Sequence, residues 1–120
     1  MAELLRQGDD LVLKLSTMEK AEAIHGDIRV PVAAVRTVTI VEDIIHAVHG
    51  LKLPGSRVPG VFAMGTFVSH EGRTFAIIHH QTHRGLKVTL QGTDYAAILI
   101  GILDPEAVLK RLGLPAEEGG

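Results

Sequence analysis

From Val61 to Ile102 the chain reads as four short runs, VFAMGTFVS, TFAIIHH, LKVTL and YAAILIGI, broken at EG, QTHRG and QGTD. Each run is rich in β-branched and apolar residues and too short for a stable helix, and the breaks hold turn-forming glycine, aspartate and threonine. This third of the chain therefore has one reading, a set of strands joined by tight connections. The Glu71–Gly72 pair marks a hairpin, and QTHRG and QGTD continue the meander.

The remainder extends the pattern in both directions. LVLKL, Leu11 to Leu15, alternates apolar residues with Lys14 as a half-buried strand does. In STMEKAEAIHG, Ser16 and Glu19 have capping-box spacing, Met18, Ala21 and Ile24 share one helical face, and Gly26 suits a left-handed end. The spacing predicts a short helix near 17–25. IRV and VRTVTIVED, divided by Pro31, predict two more strands. Residues 43–60, with two Pro-Gly pairs in LKLPGSRVPG, predict one long irregular connection. DPEAVLKRLG predicts a helix at about 104–112: Asp104 at the N-cap, Pro105 at N1, Glu106 in the first turn, Lys110 and Arg111 in the last, Gly113 beyond. Residues 1–9 read as a flexible arm, 10–114 as a single domain and 115–120 as a flexible tail. The expected core comprises Leu13, Val38, Phe67, Phe75, Ile77, Val88, Ile98 and Leu112, with Val108 and Leu112 seating the last helix on the sheet.

Composition narrows the function classes. With 46% hydrophobic and 22% charged residues the chain is globular in character, and a net charge of −2 offers no basic footprint for nucleic acid. AAILIGIL is too short to cross a bilayer, and MAELLRQGDD has neither a basic start nor an apolar core behind it. The absence of cysteine rules out disulfides, thiolate metal sites and thiol nucleophiles, and fits a cytoplasmic setting.

The order of elements, and the stretches Val32 to Val41, GLKLPGSRVPG, MGTF, GRTF and DPEAVLKRL, resemble a family of small bacterial pleckstrin-homology-like (PH-like) proteins. The resemblance covers about residues 10 to 114. It implies a mainly β chain with α elements, a PH-like roll or split barrel of about seven antiparallel strands closed by the C-terminal helix. It carries over no catalytic residues. PH domains that bind phosphoinositides cluster Lys and Arg at the first hairpin, whereas here Lys20 stands among Glu19, Glu22 and Asp27, flanked by Lys14 and Arg29, which argues against phosphoinositide binding.

Seven histidines invite a metal reading, but His79 and His80 are adjacent on a strand and must face opposite ways; a site there requires His80 and His83 to meet across the turn. His46 and His49, three residues apart, could share a helical face. No metal or cofactor is expected from these spacings. No nucleophile elbow, phosphate loop or separated carboxylate pair is present, so no enzyme is expected. The expectation is a non-enzymatic module acting through protein contact or self-association, the latter favoured by a mean hydropathy of +0.24. Arg57, between two Pro-Gly turns, and His80, His83 and Arg84 in the QTHRG turn are the candidate binding residues. The edge strands and the groove beside the last helix could accept a peptide or a second copy. The alternatives are a small-ligand or metal-binding module built on the His79–Arg84 turn, and weak binding to an anionic membrane.

Overall fold

The computed structural model describes residues 2–23, 25–48, 51–58, 62–114 and 116–117, with 51–58 and 116–117 described by backbone alone. Among these, ten strands form two open sheets accompanied by two helices. In the smaller sheet, β1 (Glu3–Gln7), β2 (Asp10–Lys14) and β3 (Ile28–Pro31) lie in that order and are antiparallel. The larger sheet contains β4 (Val35–Val41), β5 (Leu51–Val58), β6 (Phe62–Ser69), β7 (Gly72–Ile78), β8 (Gly85–Leu90), β9 (Ala97–Gly101) and β10 (Ala116–Glu117). Its order is β10-β4-β8-β9-β7-β6-β5. The chain is thus mainly β, and no described helix is long and apolar enough to cross a membrane.

The expected core residues are all buried. Residues on one face of the large sheet, including Val38, Phe75, Ile77, Val88 and Ile98, pack against Leu4, Leu11 and Leu13 of the small sheet and Leu112 of α2 (Pro105–Leu112). Each such side chain withdrawn from water contributes roughly 2 kcal/mol. On the opposite face, Ile44 and Val48 of the β4–β5 connection cover Phe67, Ala76, Ile78 and Leu99.

The structure departs from the sequence reading in several places. Residues 3–7, expected as part of a flexible arm, form β1, because Leu4 buries itself in the core and Gly8, at φ 62°, permits the tight reversal into β2. LKLPGSRV, expected as irregular connection, is the edge strand β5, which absorbs its Pro-Gly pair in a register shift between Lys52 and Gly55. Two strand pairs, β7 with β9 and β10 with β4, are parallel rather than antiparallel.

The largest departure concerns the meander. Strand β9 pairs with β8 on one side and with β7 on the other, so the 79–84 segment is no hairpin turn but a connection spanning the width of an intervening strand. A Cβ at Gly85 would overlap the carbonyl oxygen of Ile100, so only glycine lets β8 approach β9 at that end.

Both predicted helices form. In α2 the Asp104 side chain accepts a hydrogen bond from Ala107 N at 3.1 Å, and Gly113 ends the helix at φ 62°. In α1 (Thr17–Ala23) the capping box closes reciprocally: Glu19 N donates to Ser16 Oγ at 3.2 Å and Ser16 N donates to Glu19 Oε1 at 2.8 Å. The helix is rotated from the expected face. Met18 is 72% exposed, while Glu19 and Ala23 point inward. A carboxylate takes the inward position because a ring of donors awaits it there.

Candidate functional site

The 79–84 connection is fastened along its length. Thr82 is buried, with its N and Oγ1 both donating to the His79 carbonyl, at 3.1 and 2.9 Å. Ile44 N donates to His83 O at 2.9 Å, and Ile102 N donates to Arg84 O at 3.0 Å. Both histidines lie just past the end of β7, His79 outside regular structure and His80 in a turn, and their side chains diverge. His79 turns toward the inter-sheet core and His80 faces solvent, as does His83. Among the described residues no group of three His, Asp or Glu side chains comes together to hold a metal ion.

His79 Nε2 lies 2.5 Å from Glu19 Oε2. The same oxygen accepts from Ala2 N at 2.9 Å, so one buried carboxylate joins the residue preceding β1, the start of α1 and the residue following β7. Burial pushes the Glu19 carboxyl up, but the hydrogen bonds from His79 and Ser16 outweigh it and hold the group below its usual range.

Arg84, a candidate binding residue, is engaged by two carboxylates. Its Nε and one terminal nitrogen meet Glu42 at 3.0 and 3.2 Å, and both terminal nitrogens reach Glu106 in the first turn of α2. Glu106 and then Glu42 raise the guanidinium's affinity for its proton, and Arg84 in turn depresses the Glu106 carboxyl. Arg84 is therefore a surface clamp between the end of β4 and α2. Arg57 falls on edge strand β5 opposite Ala63, and its side chain lies outside the described residues. His46 pairs with Asp43 at 2.7 Å, and His49 lies outside the described residues.

Two surface features bring apolar or aromatic groups to solvent. The first is a groove of about 250 Å³ beside α2, between the start of β1 and the β9–α2 corner. Ala2, Leu4, Ile102, Leu103 and Val108 line it, with Glu3, Asp104 and Arg111 at the rim. Leu103 is 72% exposed there. The second is a cleft of about 380 Å³ between β3, with the residues leading into it, and the β8–β9 connection. In its wall, His25 Nε2 meets the Tyr95 hydroxyl at 2.9 Å, and that hydroxyl meets Thr66 Oγ1 at 3.1 Å. The rings of His25, Tyr95 and Phe75 gather with centroids 5.1 to 6.0 Å apart.

Sequence reasoning missed Glu19, His25 and Tyr95. Glu19 carried a usable signal, since a capping-box carboxylate on a seven-residue helix sits where the helix meets the sheet. His25 and Tyr95 are 70 positions apart and carry none. No family model, curated protein or solved structure matches the chain.

Proposed function

We propose that this chain is a non-enzymatic, cytoplasmic module of PH-like roll architecture that acts by contact with a protein, either a partner or a second copy of itself. The observation that supports this reading is the groove beside α2, where Leu103 stands 72% exposed over an apolar floor. An exposed leucine beside a rimmed apolar groove is the composition of a contact surface, since the apolar centre supplies binding energy and the charged rim supplies register. The His79–Arg84 connection is the weaker candidate, because Arg84 and His79 are already engaged with Glu42, Glu106 and Glu19.

Photo-crosslinking tests the reading. A benzophenone side chain at position 103 is expected to capture a second chain in cells, whereas the same group at Lys110, exposed on α2, captures none. The adduct's mass separates self-association from a different partner. No adduct at 103, or equal capture at both positions, removes the groove from consideration.

A further inference from the structure

The cleft between β3 and the β8–β9 connection is a surface separate from the α2 groove, and its chemistry is set by which of its polar atoms are already used. His25 Nδ1 lies 2.7 Å from the Gly26 carbonyl and can only donate to it, leaving Nε2 of a neutral ring to accept the Tyr95 hydroxyl proton. The Tyr95 oxygen then accepts from Thr66. Thr93 Oγ1 donates to Tyr95 O at 2.7 Å. Arg29, the cleft's cation, is held by Asp10 at 2.8 Å and Gln7 at 2.9 Å. Asp27 gives one oxygen to Leu15 N at 2.8 Å, with Lys20 at 3.7 Å from that same oxygen, and its other oxygen accepts no hydrogen bond from a described residue. Asp94 has no hydrogen bond or ion pair among the described residues.

What the cleft offers a ligand is therefore two carboxylates with spare acceptor capacity, the surfaces of the Tyr95 and His25 rings, and the flank of Val30 and Pro31. Its one cation, Arg29, is outnumbered by the two carboxylates and already faces Asp10 and Gln7, so the cleft favours a positive ligand over an anion. Carboxylates beside aromatic rings attract a positive charge through both ion pairing and the ring quadrupole, and an apolar wall accepts a hydrocarbon stem. A space of about 380 Å³ suits a ligand of modest size.

We propose that this cleft is a binding site for a small organic cation, an ammonium or guanidinium group on a short apolar stem, with Asp94 as the principal ion-pair partner and Tyr95 as the wall. The cation lies against the rings and donates to the Asp94 carboxylate and to the spare oxygen of Asp27, while its stem runs along Val30 and Pro31. The Thr66–Tyr95–His25 chain fixes the Tyr95 ring from behind and takes no part in recognition.

The protein carries its own reporter, since it has one tyrosine and no tryptophan, so its intrinsic emission arises from the cleft wall alone. Tyrosine fluorescence is followed during titration with n-butylguanidinium and n-butylammonium at fixed ionic strength, with n-butanol and butyrate as controls. The expected result is a saturable change with the two cations, at a Kd on the order of 1 mM, and none with the controls. Asp94→Asn, at an exposed position, is expected to keep the parent melting temperature and weaken cation binding about tenfold, the loss of one charge-assisted hydrogen bond. Leu103→Glu is expected to leave the titration unchanged, which keeps this result distinct from that of the α2 groove. Equal responses to cations and controls, no saturable change, or an Asp94→Asn variant that binds as the parent does would overturn the proposal.

Discussion

Replacing Glu19 with Gln isolates the charge of the buried carboxylate while preserving its shape. The parent side chain accepts from Ser16 N at 2.8 Å, Ala2 N at 2.9 Å and His79 Nε2 at 2.5 Å. An amide has a single acceptor oxygen. If that oxygen stays with Ser16, the NH2 group confronts the Ala2 N–H, and a buried donor is left unsatisfied at about 1–3 kcal/mol. The bonds that survive lose their charge-assisted part, roughly another 1 kcal/mol. The sum is about 3 kcal/mol, which for a chain of this size lowers the melting temperature by about 10 °C. Thermal unfolding followed by circular dichroism at neutral pH measures it.

The same variant fixes the sign of a pH effect. Because the Glu19 carboxyl is depressed in the folded protein, its contribution is complete above the unfolded value, about 4.3, and is lost as pH falls through the folded value. The gap between parent and Glu19→Gln should therefore persist at the ordinary carboxylate value and close only in stronger acid, as pH falls through the depressed folded value and the parent carboxyl also becomes neutral. A variant melting within about 2 °C of the parent at neutral pH, or a gap that persists unchanged into that stronger acid, would refute the account of Glu19 as a charged anchor.

Two further outcomes follow from the same packing. Gly85→Ala should destabilise more than Gly101→Ala, because the new Cβ meets the Ile100 backbone in one case and, in the other, the Thr82 side chain, which can shift at the cost of its bond to the His79 carbonyl; urea unfolding should place Gly85→Ala at about 3 kcal/mol or more. Arg84→Ala should lower the melting temperature in dilute buffer, with the difference fading near about 1 M NaCl as the exposed bridges to Glu42 and Glu106 are screened.

What the sequence disclosed was whatever a few neighbouring residues decide. Asp104, Pro105 and Gly113 write the limits of α2 within ten positions. The face of α1 was misread because apolar periodicity assumes that the inward residue is apolar, and here it is Glu19, whose partners beyond its own capping box are 17 and 60 positions away. Strand β1 was overlooked because ELLRQ has little alternation of its own and gains its place from β2. Arg84 looked free because Glu42 and Glu106 lie 42 and 22 positions away. The insertion of β9 between β7 and β8 is a fact of strand order, which no local pattern encodes.

That insertion bears on how the protein is made. Strand β9 is the last of the long strands to be synthesised, yet it occupies an interior place in the large sheet and every one of its residues is buried. Until Gly101 has emerged from the ribosome, β7 and β8 have no neighbour between them, and each presents a bare hydrogen-bonding edge and an unfilled apolar face. Nascent chains stalled before residue 97 should therefore bind chaperones and resist compaction, and release a few residues past β9, once enough chain has cleared the exit tunnel, should convert them cooperatively to the folded form.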